Sequence, residues 1–597
     1  MSMQERQMKM RRVSISLIYD RLSLVFFGGV ARSLARAFEL NRLFEEAGLY
    51  VHPVMYMAKV LMTAFLALII SASLGMLLYM LRPSILVLVV AVLLSAVSPL
   101  AVFIVGLAIP YVKRSGRGQS VRFELPYFAV YMTVMAIGGL SPERILEKIS
   151  QIKLFRAIRF EAQRILRDIR IFGLNPLSAF ERNAYRHPCR EYSELILGYT
   201  TTVRTGGDII HYLETKTSEL FDKFAEHLKG VSERIGLLAE AYVTMVLIGG
   251  IALYIFLTVT SLMRGASVGA QFVQIAVFSY IVMPAITIIM LFIIDSMLPK
   301  QPIYPKEQYI AALLVAPAAI AIIILSMMAS GAVKTIVTGE GKEQGVAMAI
   351  MCLVAGILVF GIPTSIADIK VGRRLAGLHR QLAAFLRDLA EARKTGLSPE
   401  KCIIMLSERD YGKLTPVIRR MAGALIAGLP VEQAARHALA GTRDWFILVN
   451  LRILVDAMDF GGGTPTMLDI MANYIARLVQ MLTELRMRLK LHIVLPYFGA
   501  ILMTLATLMT AASLFKASAL IGGQGTAVTT VAIPEAVYYQ FLALTTTGII
   551  IDSWFIGLVA GKLHTGRLST GFIHSTLLAL TSAIAAIAYL LGLLPTI

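Results

Sequence analysis

One pentapeptide, Gly-Leu-Ser-Pro-Glu, occurs at 139–143 and again at 396–400, an offset of 257 residues. Other pairs keep nearly the same offset. Gly173-Leu174 matches Gly428-Leu429, and Gly206-Gly207 matches Gly461-Gly462-Gly463. Ile293-Ile294-Asp295-Ser296 matches Ile550-Ile551-Asp552-Ser553. Self-similarity at a long fixed period marks a copied structural unit. The chain reads as a tandem duplication, so whatever one copy builds must be workable twice.

The copied unit is patterned for a membrane. Hydrophobic residues make up 57% of the 597 positions and charged residues only 16%. Long runs of that composition mark a polytopic membrane protein. Nine stretches are long enough to cross about 30 Å of hydrocarbon: 54–80, 84–112, 239–262, 270–298, 309–330, 346–367, 492–514, 535–561 and 573–594. Two polar segments interrupt them, 113–238 and 368–490, both rich in arginine. The resulting division is an N-terminal amphipathic segment (1–53), spans 1–2 (54–112), a first bundle (113–238), spans 3–6 (239–367), a second bundle (368–490) and spans 7–9 (491–597).

Charge orients the spans. The net charge of +19 would suggest nucleic acid in a soluble protein. Here it has a topological cause, because Lys and Arg collect in cytoplasmic loops. The loops 263–269, 331–345 and 515–534 hold only Arg264, Lys334, Lys342 and Lys516 as cations. The remaining basic segments fall on one side if the N-terminus is cytoplasmic and the C-terminus extracytoplasmic. Each copy has four spans, an even number, so both insert in the same sense. The expected symmetry is a pseudo-two-fold along the membrane normal, unlike the inverted repeats of many transporters. The expectation is an all-α polytopic membrane protein in the cell membrane, with about nine transmembrane helices and two cytoplasmic helical bundles in a parallel internal repeat. Residues 1–53 fit an interfacial helix or a cap on the first bundle equally well. No disulfide framework is expected from Cys189, Cys352 and Cys402.

Within the polar segments apolar residues recur at helical spacing, as at Leu382, Phe385, Leu386 and Leu389. Ser141-Pro142-Glu143 and Ser398-Pro399-Glu400 each offer an N-cap serine, a proline at the first helical position and an acid in the first turn. Gly139 and Gly396 precede them as helix C-terminal glycines. The motif thus predicts helix end, tight turn, helix start, and Gly428 and Pro430 repeat the pattern further on.

The order of these turns, Gly-Leu-Ser-Pro-Glu, then Gly-Leu near Pro, then paired glycines before a long amphipathic helix, resembles the bundle domain of the type II secretion F-protein family. Two such domains in a nine-span chain resemble its archaeal branch, the membrane platform proteins of type IV pili and the archaellum. The resemblance implies a platform beneath a growing filament, with a cytoplasmic secretion-type hexameric ATPase and prepilin-like subunits as partners in the lipid bilayer. Self-association into a homodimer stays open. Under this reading Arg373, Arg374, Arg393, Lys394, Arg419 and Arg420 are the candidate ATPase contacts, since long-range attraction to an acidic motor would suit them. The rival assignment for these cations is contact with anionic lipid.

No nucleotide-binding loop and no His-Glu-x-x-His motif is present, so neither catalysis nor any cofactor is expected of the chain itself. His187 and Cys189 are two ligands at most and do not make a metal site. Residues 265–269 match Gly-x-Ser-x-Gly but lie in a short loop between spans, not after a strand. Asp295 and Asp552 are intramembrane acids, which are costly and usually face protein or water. Their duplication predicts that they face each other or a shared cavity, as a polar seam between the copies. Gly557 and Gly561 form a Gly-x-x-x-Gly pair that permits close helix contact. The competing function is a multi-span transporter with cytoplasmic regulatory domains.

Overall fold

The computed structural model describes residues 3–81, 83, 85–252, 255–256, 268–299, 301–340, 342–522 and 535–593. Every regular element among them is helical. Among the described residues eight helices are long and apolar enough to cross a membrane, and the chain is an all-α multi-pass membrane protein. The third expected span, 239–262, runs into residues 253–254 and 257–262, which lie outside the described ones, as does the serine of the Gly-x-Ser-x-Gly loop. The chain divides into two compact units, Met1–Leu220 and Phe221–Ile597.

The first unit contains α1 (Met3–Ala37), α2 (Leu40–Ala47), α3 (Pro53–Leu81), α4 (Ile85–Ile137), α5 (Pro142–Gln151), α6 (Ala157–Arg170), α7 (Pro176–Tyr185), α8 (Arg190–Arg204) and the start of α9 (Ile209–Thr244). Helices α3 and α4 form an antiparallel hairpin. Tyr56 donates to the Gly106 carbonyl at 2.7 Å, and Ser98 bonds Ser71 at 2.8 Å. Their outward faces, including Ile70, Leu77, Leu93 and Leu100, are exposed apolar surface suited to lipid. Helix α4 has no break where its apolar run ends at Val112. The whole helix runs 53 residues, about 80 Å, and its second part is the first helix of the bundle. There it buries Val121, Leu125, Phe128, Tyr131 and Met132 against α5–α8.

The N-terminal segment packs on this hairpin. Leu40, Leu43 and Phe44 of α2 join Met57, Ala58 and Val60 of α3 in one cluster. Arg117 of α4 donates to the Glu45 and Glu46 carbonyls at 3.1 and 2.7 Å. Helix α2 therefore braces α4 just beyond its apolar run.

The second unit begins with the rest of α9, which passes into a π-helical turn, Met245–Gly249. Next come α10 (Val268–Val277), a second π turn (Phe278–Val282) and α11 (Met283–Met297). Helices α12 (Glu307–Ala329), α13 (Ala332–Thr338) and α14 (Lys342–Leu375) lead to the second bundle. That bundle comprises α15 (Leu378–Lys394), α16 (Pro399–Leu406), α17 (Thr415–Ile426), α18 (Val431–Ala438), α19 (Trp445–Gly461) and α20 (Pro465–Leu491). Spans α21 (Val494–Gly522), α22 (Glu535–Thr565) and α23 (Gly571–Leu590) follow. Leu382, Phe385, Leu386 and Leu389 are all buried, as their spacing predicts.

Helix α22 is the core of the membrane part. Unlike α12, which shows most of its surface, α22 is buried for over four-fifths of its apolar window, at 83%. Small residues make that packing achievable. A Cβ on Gly561 would lie 2.1 Å from the Gly571 Cα, and one on Gly557 2.3 Å from the Ser575 Cα. The Gly-x-x-x-Gly pair thus brings the α22 and α23 backbones into contact.

Candidate functional site: bundle turns, basic surface and intramembrane acids

The duplicated turns have the predicted geometry. Gly139 and Gly396 adopt left-handed φ of +77° and +85°, a conformation that costs other residues a Cβ clash. Pro142 and Pro399 open α5 and α16, with Glu143 and Glu400 in the first turns. The capping hydrogen bond differs between copies. Ser398 accepts from the Lys401 amide at 3.4 Å, whereas Ser141 accepts none. Gly428 has φ +80°, and Pro430 occupies the N-cap of α18.

One side chain–backbone cap, unnoticed in the sequence, has survived duplication. Glu124 of α4 accepts from the Arg156, Ala157 and Ile158 amides at 2.9–3.2 Å, capping α6. At the 257-residue offset, Gln381 accepts from the Lys413 amide at 3.1 Å. The signal was available: an acid in one copy aligns with its amide in the other.

The six candidate cations separate by environment. Arg393 is half-buried and donates to the Gly463 carbonyl at 2.9 Å and the Leu397 carbonyl at 2.6 Å. It ties the first turn of the second bundle to the last. Lys394 lies between Glu391 (2.9 Å) and Asp469 (3.1 Å). Arg373, Arg374, Arg419 and Arg420 are exposed. Arg374 pairs with Glu307 at 3.0 Å, while Arg419 and Arg420 donate only long bonds to the Ser407 and Pro416 carbonyls. The free part of the basic surface is therefore narrower than the sequence suggested.

Duplication also explains why Arg374 faces outward. Its counterpart, Arg117, is held by Glu161 in a two-bond pair at 2.8 and 2.7 Å inside the first bundle. In the second copy the position of Glu161 is taken by buried Ile418. Around Glu161, Asn183 donates to the carboxylate at 3.0 Å and accepts from Tyr192 at 3.0 Å. His187 lies against the Tyr192 ring and accepts from the Cys189 amide at 3.0 Å. Burial pushes the His187 pKa down to about 4, against the pull of Glu161, and pushes the Cys189 thiol up to about 12. An uncharged histidine and an inert thiol suit a core, not a reactive site. Among the described residues no three His, Cys, Asp or Glu side chains converge as a metal site.

The two intramembrane acids are not partners, so of the two expected arrangements, facing each other or facing a shared cavity, the first does not hold. Asp552 is buried in α22, and its Oδ2 accepts from Ser279 at 3.4 Å. Ser279 belongs to the π turn just before α11. Asp295, on α11, pairs instead with Lys562, on α22. A polar seam does join these repeat-equivalent spans, but each acid meets a different group. No short motif announces the π turn that places Ser279.

A relation between the copies appears along α9 and α20. Asp222 pairs with Arg477, and the Phe221 and Tyr474 rings lie 4.9 Å apart. Higher up, Gly236 meets His492. A cleft of about 210 Å³ separates these heights, lined among others by Ala225, Lys229, Met481 and Leu485. Each contact joins residues offset by 253–256 positions, close to the repeat period. Repeat-equivalent residues thus touch at several heights along a parallel helix pair.

The family model for the type II secretion system protein F matches residues 128–257 and 385–512. The chain carries this F domain twice. Each match covers one bundle from its first helix into the following span. An uncharacterised protein of Methanocaldococcus jannaschii is 20% identical over 427 residues, covering 67% of this chain and 70% of that protein. A second uncharacterised protein of the same archaeon is 30% identical over 83 residues, covering 13% of this chain and 25% of that protein. No solved structure matches.

Proposed function

We propose that this duplicated F-domain protein is the membrane platform of a type IV pilus-like filament, archaellum or secretion machine. A cytoplasmic hexameric ATPase acts on its bundles, and prepilin-like subunits enter the filament from the membrane beside it. The chain receives force and itself catalyses nothing. The N-terminus is cytoplasmic and the C-terminus extracytoplasmic, as the charge pattern predicts. The observation that supports this reading is the pairing of α9 and α20 by repeat-equivalent residues, as expected of two copies inserted in the same sense. The archaeal origin of the two similar proteins supports the branch.

The motor-facing surface is assigned to Arg373, Arg419 and Arg420, with Arg374 released once Glu307 is displaced. The test is capture of the cognate ATPase by the full-length protein in detergent. The variant carrying Arg419→Glu and Arg420→Glu is expected to lose capture at low salt, where such attraction is strongest. Undiminished capture would reject the surface. A transporter is the second reading, favoured only by the buried Asp552 carboxylate; it requires solute flux in proteoliposomes without any motor.

A further inference from the structure

Asp552 has no role in the platform reading, and no cationic side chain neutralises it. It stands about 26 Å from the Glu535 end of α22 and about 20 Å from the Thr565 end, at 1.5 Å per residue. That places it deep in the apolar run, and it is only 3% exposed. Its Oδ2 accepts one long bond, from Ser279 at 3.4 Å, and its Oδ1 is shut off from solvent with no hydrogen-bond partner. Among the described residues no lysine, arginine or histidine pairs with it.

The duplication makes the contrast plain. The equivalent acid, Asp295, is neutralised by Lys562 of the other copy. In the first copy the cation nearest in register to Lys562 is Lys306, 256 positions earlier. Lys306 stands at the N-cap of α12, exposed, and does not reach Asp552. The acid was copied, and one copy was left without its lysine.

Oxygens, not cations, surround Asp552. Tyr280, in the π turn with Ser279, shares a 2.7 Å hydrogen bond with Thr547, five residues before Asp552 on α22. Tyr242 of α9 shares one of 2.9 Å with Thr287 of α11. Both tyrosines lie within electrostatic reach of the carboxylate. On the α23 side, Ser582 bonds Ser553 at 2.7 Å and Thr504 of α21 at 2.9 Å. None of these groups carries a positive charge. An ionised carboxylate sealed from water and unpaired is among the costliest groups a membrane core can hold. Its balancing charge must come from outside the chain. One carboxylate balances one charge, and no second acid converges on it among the described residues, which excludes a divalent ion.

We propose that Asp552 is a monovalent-cation site: a proton or a sodium ion bound at Oδ1 neutralises the carboxylate and joins α22 to the π turn before α11. The site is independent of the platform reading, since no motor enters its test.

That test is infrared difference spectroscopy on the full chain in nanodiscs, with choline in place of sodium. The wild type is expected to show a carboxylic-acid carbonyl stretch that moves on deuteration and is lost in Asp552→Asn. Asp295→Asn should keep the band, because Asp295 is ionised against Lys562. Ser279→Ala retains the acid and should shift the band upward as a hydrogen bond is lost; it also serves if Asp552→Asn fails to fold. Adding sodium decides between the two cations. A sodium-dependent rise in melting temperature, absent from Asp552→Asn, identifies sodium by mass action. A band indifferent to sodium identifies the proton. The site is overturned if the wild type and Asp552→Asn have the same acid band and sodium leaves the melting temperature of both unchanged.

Discussion

At the residue scale, the first bundle holds its polar core together by keeping one histidine neutral. The groups facing His187 are Glu161, Arg117, Arg164, Tyr192 and Cys189. Burial pushes the Glu161 carboxyl up, but Arg117 outweighs it and holds the group below its ordinary range. Glu161 therefore stays charged while His187 resists protonation. An unfolded histidine takes up its proton near pH 6.5, the folded one only near 4. Between those values the unfolded state binds more protons, so stability is full above pH 6.5 and falls as pH drops towards 4. At about 1.4 kcal/mol per pH unit, the loss is on the order of 3 kcal/mol across the window. Hydrogen exchange of α7 and α8 amides in the full-length protein should accelerate accordingly. His187→Asn, which keeps an acceptor for the Cys189 amide, should flatten that slope; an unchanged slope places the effect elsewhere.

At the element scale, α22 depends on glycine for its place. The Gly561 Cα faces Gly571 so closely that any side chain must push α22 and α23 apart. Gly561→Val is expected to cost on the order of 1–3 kcal/mol through overpacking, read as a lower melting temperature in detergent. Gly230→Ala is the control, because nothing lies within 4 Å of its added methyl; it should be neutral or mildly stabilising on helix propensity. Equal destabilisation by both variants would deny the close contact. This contact was legible in the sequence, as were the turn glycines and the buried stripe at Leu382, because spacing alone encodes them. Other features were not. Dividing the chain at 112 and 113 marked a change of solvent, yet α4 crosses it unbroken. Pro110 stands just before the change of polarity at Val112-Lys113-Arg114, yet the helix runs through it. The partner of Asp552 was equally hidden, since a duplicated acid does not reveal that a π turn will place Ser279 before it. Arg393 looked like a surface cation because its acceptors are carbonyls from distant turns.

At the scale of the whole molecule, the duplication shows itself in one helix pair, α9 with α20. Equivalent residues of α9 and α20 meet at more than one height, as a parallel helix pair requires; an antiparallel pair would let them meet at one height only. The contacts at Asp222 and Arg477 and at Gly236 and His492 are two heights of the same seam. Their ion pair is half-exposed and contributes at most about 1 kcal/mol, so stability is a poor probe of it. Proximity is the better one. Cysteine pairs at 222 with 477, 229 with 485 and 236 with 492 should all cross-link with a short thiol-specific reagent in native membranes. A mismatched pair, 222 with 492, should not. Cross-linking at a single height, or in the mismatched pair, would remove the parallel pairing of α9 and α20. The support that this pairing lends to a platform would then fall, while the two F-domain matches in the sequence would remain.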